Sequence, residues 1–233
     1  PRISKRMITY GLTRQADVYA ENLEFIYVRS RFDTYRTGEL LGTVELNQPG
    51  LHNVYNGLAS ICVGLELEID FAVIAAALGS FAGVQRRLEL KGEAGGITVI
   101  DDYGHHPTEI RATLSAIKQA WPEKRLVVLF QPHRYSRTKG LFSEFQTCFH
   151  QADHLVITDI YAASEAPIEG IDSLRLLDKI RQHGQRSTAH VAEVDSLAAA
   201  VRDQLEPGDL VLTLGAGNIF KAGEELLSLL GSE

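Results

Sequence analysis

The sequence predicts an α/β protein: a doubly wound, Rossmann-like, mostly parallel sheet, preceded by a portion with a small antiparallel sheet and two helices. Three observations predict it. The runs Ile97–Ile100, Leu126–Phe130, Leu155–Thr158 and Leu210–Leu214 are apolar almost throughout. Strands covered on both faces read this way, whereas half-exposed strands alternate. Amphipathic stretches separate these runs, the spacing of strand, helix and parallel strand. Before about residue 88 the pattern differs, with short runs alternating apolar and polar residues between turn signals.

In order, residues 3 to 47 hold four such runs, at 7–10, 17–20, 25–28 and 42–46, and read as a small antiparallel meander with a structural role. Pro49-Gly50 ends it, and helices are predicted from about Val54 to Leu67 and from about Phe71 to Ser80. The change of period near Leu88 sets a boundary between domains at 1–87 and 88–233. Leu88–Leu90 turns through Gly92–Gly96 into the strand at Ile97. Pro107 then opens a helix, because its missing N–H has no intrahelical partner at the first helical position. The strand at 126–130 precedes a helix around 141–149, and the strand at 155–158 precedes one around 174–183. His190-Val191 marks a short strand before a helix at 197–205, and the last strand, 210–214, leads into a helix at 220–230. No internal repeat or low-complexity tract occurs.

The chain's 233 residues allow one large or two modest domains, each with a core. A 45% hydrophobic and 23% charged composition fits a soluble globular chain. No run approaches the ~20 apolar residues of a membrane span, and no secretory signal stands at Pro1. The expected location is the cytoplasm, with Cys62 and Cys148 as buried free thiols. The net charge of −7, from 23 basic and 30 acidic residues, argues against a nucleic-acid surface. A phosphate ligand would need local basic side chains.

Ionisable groups gather where open α/β sheets bind ligands, at the carboxyl ends of the strands. Asp101, Asp102, Tyr103, His105 and His106 follow the strand at Ile97; His133, Arg134 and Arg137 follow that at Leu126. Asp159, Tyr161, Ser164 and Glu165 follow that at Leu155. A metal hydrolase could use Asp102, His105, His106 and His133 as ligands. The His-x-x-x-His spacing is missing, however, and adjacent histidines diverge, so no metal site is predicted. A dehydrogenase could use Gly215-x-Gly217, but the third glycine of G-x-G-x-x-G falls on Phe220 and the motif sits on the last strand. That pattern reads as a tight strand-to-helix turn with amides available for a carboxylate. Asn53 and Asn56 share one helix face. Asn53 suits a helix cap, and a carboxamide also suits adenine, accepting from its amine and donating to a ring nitrogen. Paired arginines, Arg86-Arg87, are ordinarily a solvated face, yet a guanidinium fork suits phosphate oxygens.

Five motifs, in order along the whole chain, resemble the Mur ligases. They are Asn47-Gln48-Pro49-Gly50-Leu51-His52-Asn53-Val54-Tyr55-Asn56, Gln85-Arg86-Arg87-Leu88-Glu89, Asp101-Asp102-Tyr103-Gly104-His105-His106-Pro107-Thr108-Glu109, Gln131-Pro132-His133-Arg134-Tyr135-Ser136-Arg137-Thr138 and Leu214-Gly215-Ala216-Gly217-Asn218-Ile219. Within the family, Tyr103 to Pro107 resembles the alanine-adding branch. The resemblance implies an ATP-dependent ligase of peptidoglycan precursor synthesis: ATP phosphorylates the carboxylate of UDP-N-acetylmuramate, and the amine of L-alanine displaces phosphate from the acyl-phosphate. Catalysis of that kind is mainly positioning and electrostatic stabilisation.

The resemblance further implies roles. Asn53 and Asn56 would face adenine, Arg87 the phosphates and Asp102 the ribose, with the nucleotide between a central and a C-terminal domain. His133, Arg134 and Arg137 would hold the muramyl or alanine carboxylate. Tyr103 and His105 would line the amine side, with His105 able to accept the amine proton; His105, Arg134 and Arg137 are the catalytic candidates. Mg2+ is implied too, with ligands in a part preceding residue 1. The chain has no G-x-x-x-x-G-K-[ST] and begins at Pro1. It is therefore expected to be a fragment, inactive alone, with 1–87 the latter portion of the central ATP-binding domain and 88–233 the substrate-binding domain. The expected partners are UDP-N-acetylmuramate and L-alanine, without nucleic acid or membrane, in a monomer or weak homodimer. A family ligase for another amino acid or peptide, and a non-catalytic binding or regulatory paralogue, are the alternatives.

Overall fold

A computed structural model describes Lys5 and residues 7–232. Residues 3, 4 and 6 of the expected meander, and the start at Pro1, lie outside the described residues. The chain divides into two compact units, Pro1–Gly83 with Gln119–Trp121, and Val84–Lys118 with Pro122–Glu233. The division falls just ahead of the boundary expected at Arg87, because Arg86 is bonded into the second unit at Asp101 and Gly215.

In the first unit, β1 (Tyr10–Gly11), β2 (Val18–Ile26), β3 (Arg29–Arg36) and β4 (Glu39–Leu46) lie in that order, followed by α1 (Leu51–Glu66) and α2 (Phe71–Ser80). β1 runs parallel to β2, so the expected antiparallel meander is a mixed sheet. The sequence pattern also hides β3. Its inward residues are Ser30, Phe32 and Thr34, two of them polar, so no apolar alternation marks it. β2 joins two expected runs across an irregularity between Glu21 and Glu24. Helix α1 starts earlier than Val54, on a Gly50 cap at φ 99°, a backbone conformation glycine adopts without a Cβ clash. Val18, Ala20, Phe32 and Val44 pack against Val54, Leu58, Ile61 and Ile74 to form this unit's core.

The second unit contains β5 (Glu89–Ala94), β6 (Ile97–Asp102), α3 (Pro107–Ala120), β7 (Leu126–Phe130), α4 (Tyr135–Gly140), α5 (Phe142–Phe145), β8 (His154–Ile157) and α6 (Ser173–Gln182). It ends with β9 (Thr188–His190), α7 (Leu197–Arg202), β10 (Leu210–Leu214) and α8 (Phe220–Leu230). The helix expected at 141–149 shrinks to the four-residue α5, followed by turns, and the short α4 lies ahead of it across Leu141 (φ −113°, ψ 18°). The sheet order is β5-β6-β10-β7-β8-β9, with β5 antiparallel at the edge and every other pair parallel.

Both faces of this sheet are covered. Val99, Val127, Leu129, Val156 and Val211 pack with Leu197, Val201, Ile219, Ala222 and Leu226. Ile100, Val128, Leu155 and Leu212, of opposite parity, are equally buried, and Phe130 meets the rings of Phe145 and Phe149. The last strand, β10, enters between β6 and β7, pairing Leu214 with both Asp102 and Phe130. Three strands thus end level. The chain runs from β6 through β7 and β8 to the edge strand β9 and then returns to insert β10, so the carboxyl ends of β6, β10 and β7 lie side by side, where open α/β sheets bind ligands. Among the described residues no helix is long and apolar enough to cross a membrane.

Candidate active site

Adjacent residues on a strand point to opposite faces of the sheet, and this separates the two carboxylates ending β6. Asp101 accepts from the Thr213 hydroxyl (2.7 Å) and from Arg86 Nε (2.8 Å). Asp102, 3% exposed, accepts from the amides of Leu88 (2.9 Å) and Gly104 (2.8 Å) and from the Thr113 hydroxyl (3.2 Å). Burial pushes the Asp102 carboxyl above the usual carboxylate range, against the pull of the two amides. Its oxygens thereby clamp the entry to β5, the loop after β6 and helix α3 to one point.

The paired arginines also diverge. Arg86 points inward, donating to the carbonyls of Gly215 (2.6 Å) and Gly217 (3.0 Å) as well as to Asp101. Arg87 is half-exposed, 3.7 Å from Glu109 and 5.7 Å from the Tyr103 ring centroid. Of the two, Arg87 keeps a guanidinium available to a ligand.

The histidines take different roles as well. His106 Nδ1 accepts the Thr108 amide (3.2 Å), so its ring serves the start of α3. Glu109 reaches back to the amides of His105 and His106. Burial opposes the charge of Glu109, yet those amides hold its carboxyl below the usual range. His105 turns the other way and joins a row of rings crossing the ends of β6, β7 and β8. It meets Tyr103 edge-on (5.4 Å) and His133 at 5.8 Å, and His133 stacks on Tyr161 at 5.5 Å.

The neighbours fix the tautomers. His105 Nδ1 lies 3.0 Å from the Tyr103 carbonyl, which only accepts, so Nδ1 carries the proton and Nε2 keeps its lone pair. Arg137 only donates, and its Nη1 lies 2.9 Å from His133 Nδ1, so His133 carries its proton on Nε2. Burial, with Arg137 next in effect on His133, holds both imidazoles below their ordinary pKa. One ring can therefore accept a proton and the other can donate a hydrogen bond, both uncharged at neutral pH.

Arg134 caps α4 with a left-handed backbone (φ 69°) and is exposed, while its amide bonds to the Tyr161 carbonyl. Glu165 holds the same turn through the amide and hydroxyl of Ser136. The loop after β10 needs its glycines. A Cβ at Gly215 would meet the Gln131 carbonyl at 2.7 Å, and one at Gly217 would collide with the Gln131 amide and the Tyr161 ring. In the first unit, Asn53 Nδ2 bonds to the Pro49 carbonyl (2.8 Å) and Asn56 Nδ2 lies 3.3 Å from Asn53 Oδ1.

The structure thus brings Arg87, Asp102, Tyr103, His105, His133, Arg134 and Arg137 to the strand ends of one unit, and places Asn53 and Asn56 on α1 of the other. Sequence reasoning passed over Arg86 and Gln131. Gln131 was legible only as part of a motif, and nothing local distinguishes Arg86 from its neighbour. Among the described residues no group of three or more His, Cys, Asp or Glu is placed to hold a metal.

A family model described as Mur ligase, glutamate ligase domain, matches residues 86–217. The UDP-N-acetylmuramate–L-alanine ligase of Desulfotalea psychrophila is 64% identical over 233 residues, covering 100% of this chain and 51% of that protein. The same-named ligase of Geobacter sulfurreducens is 53% identical over 230 residues, 99% of this chain and 50% of its own length. Among solved structures, the UDP-N-acetylmuramate–alanine ligase of Thermotoga maritima superposes with a TM-score of 0.82 at 26% identity, covering 97% of this chain and 48% of that one. The chain spans about half the length of the curated relatives it matches.

Proposed function

We infer from this chain, which belongs to the Mur ligase family, that the protein it is part of is an ATP-dependent ligase joining L-alanine to UDP-N-acetylmuramate in peptidoglycan precursor synthesis. The observation that carries this reading is the pair of neutral imidazoles of opposite tautomer, beside Arg137, at the ends of β6 and β7.

ATP supplies the phosphoryl group that converts the muramyl carboxylate into an acyl-phosphate. The amine nitrogen then bonds to the carbonyl carbon, and the bond to phosphate breaks as phosphate leaves with its electron pair. The ammonium must lose a proton to become a nucleophile, and His105 Nε2 holds an open lone pair for it. Tyr103 lines the amine side of that ring. Arg134, Arg137 and His133 Nε2–H supply donors for a substrate carboxylate, charge-assisted in the case of the arginines.

The residues proposed for the nucleotide fit in chemical type. Asn53 already donates to the Pro49 carbonyl ahead of α1 and accepts from Asn56, which leaves the Asn56 Oδ1 acceptor for the adenine amine. Arg87 presents its guanidinium for phosphate oxygens. Asp102 fills three of the about four acceptor positions of a carboxylate internally, and the proposed ribose contact falls on the remaining one. Mg2+ accompanies ATP in this reading. The family resemblance assigns its ligands to a part preceding residue 1, and no step here uses it. The reading places the protein in the cytoplasm, in keeping with buried free Cys62 and Cys148.

The test joins this chain to the upstream half of the Desulfotalea psychrophila relative and follows phosphate release. Release should require ATP, L-alanine and UDP-N-acetylmuramate together. The 233-residue chain alone should release none, and should bind adenine nucleotides no better than the mM range, about −4 kcal/mol. Release by the joined protein that is indifferent to L-alanine would overturn the reading.

A further inference from the structure

We propose that Arg86 is a positioning residue that sets the tautomer and orientation of His105 through Tyr103 while fixing the Gly215–Gly217 turn; its importance for turnover rests on the ligase reading.

The Arg86 guanidinium uses three nitrogens on three acceptors, Asp101, Gly217 and Gly215. It lies 5.1 Å from the Tyr103 ring centroid and 4.7 Å from that of Phe220, so the two aromatics flank it. Its backbone is held as firmly. The φ of 58° is left-handed, a strained conformation for a non-glycine residue that is kept only where the surroundings over-determine it. The surroundings here are Glu89, which accepts the Arg86 amide at 2.7 Å, and the Tyr103 amide, which donates to the Arg86 carbonyl at 2.6 Å.

Tyr103 is the next link. Its amide is tied to Arg86, its ring lies against the Arg86 guanidinium, and its carbonyl accepts the proton of His105 Nδ1. Its ring also meets His105 edge-on, at 87°. Loss of the Arg86 clamp frees the residue whose carbonyl selects the His105 tautomer. Nε2, the atom facing the amine in the proposed reaction, would then carry the proton in part of the population. His133 is a built-in control, since Arg137 selects its tautomer.

The experiment is nitrogen-15 NMR of the imidazoles of the 233-residue chain across pH. In the parent chain, neutral His105 should be the Nδ1–H form and neutral His133 the Nε2–H form. Arg86→Lys should lower the His105 tautomer ratio about tenfold, the weight of one hydrogen bond, and move its titration further below the ordinary histidine value, because the Tyr103 carbonyl contact is what raises it against burial. His133 should keep its form. Because Arg86→Met alone would strand the buried Asp101 carboxylate, the second variant is Arg86→Met with Asp101→Asn, and it should show the same shift more completely. An unchanged His105 in either folded variant overturns the proposal, as does an equal change at His133, which would mean general loosening.

In the joined ligase, Arg86→Lys should lower kcat by up to about 100-fold, the scale of a small misplacement at the reacting atoms, with little change in KM for ATP. An inactive parent ligase would overturn the ligase reading while the NMR result decides the positioning role separately.

Discussion

In the sheet of the first unit, charged side chains lie along the strands and pair sideways: Arg31 with Glu24 at 3.4 Å, and Asp33 accepting from both Asn22 and Thr43. In the sheet of the second unit, β6, β7 and β10 carry no charged side chain before Asp101. There the ionisable groups sit at the strand ends, and Asp102, His105 and His133 are buried enough that their contacts decide where a proton sits. The difference follows from burial. A sheet with one wet face can place charges anywhere on that face at little cost or gain, whereas a sheet covered on both sides pushes them to its edge. At the edge, water is scarce and each partner matters.

The largest test of this contrast is Asp102→Ala against Asp33→Ala. Removing Asp102 leaves the Leu88 and Gly104 amides and the Thr113 hydroxyl without an acceptor. At roughly 1 kcal/mol for each stranded donor, the loss is about 3 kcal/mol in urea unfolding. Asp33→Ala, on the partly wet face of the first sheet, should stay within about 0.5 kcal/mol, as surface substitutions do. Equal losses would break the comparison.

Arg134→Lys comes next and sharpens the same contrast on the functional side. In the joined ligase it should raise the barrier in kcat/KM by roughly 1.5–3 kcal/mol, the range for a charged hydrogen bond, because an ammonium cannot make a forked contact. Unchanged kcat/KM for both L-alanine and UDP-N-acetylmuramate would remove Arg134 from the site.

A smaller effect is expected from pH. Burial holds His105, His133 and His154 below the ordinary histidine pKa. The unfolded chain then binds more protons than the folded one between those lowered values and about 6.5. Stability from these groups is full above about pH 6.5 and is lost as pH falls through the folded values. The urea midpoint at pH 5.5 should lie below that at pH 7.5, and the gap should narrow in a His105→Gln, His133→Gln double variant. A gap of the same size in that variant would assign the effect elsewhere.

The smallest effect should come from Arg31→Ala. Arg31 is exposed beside Glu24 and Glu45, and pairs of that kind contribute about 0–1 kcal/mol, less in salt. A salt-dependent loss well beyond that range would mean the first sheet is also electrostatically organised.

Much of the fold was legible because long-range burial leaves local traces. Leu126–Phe130 and Leu210–Leu214 read as buried strands and are β7 and β10; Pro107 marks the start of α3, and Phe71–Ser80 is α2. β3 was not legible, since Ser30 and Thr34 are buried by their sheet partners rather than by their own polarity. Helix α4 was not legible either, since Tyr135–Gly140 is a short polar stretch ending in glycine with no apolar period to mark it.

By itself, then, the sequence determined which residue types gather after each strand, since an apolar run ending in Asp101-Asp102 or in Gln131-Pro132-His133 must place polar groups at a strand end. What it could not determine is how neighbours divide their work. Asp101 faces Arg86 and Asp102 faces Thr113 because successive side chains take opposite faces of a pleated strand. Arg86 is buried and Arg87 is not because Gly215 and Gly217, far along the chain, come back beside β6 when β10 inserts between β6 and β7. The tautomers of His105 and His133 follow from contacts with Tyr103 and Arg137. A proton's position is set by what each ring nitrogen meets in space, and only the tertiary structure supplies those partners.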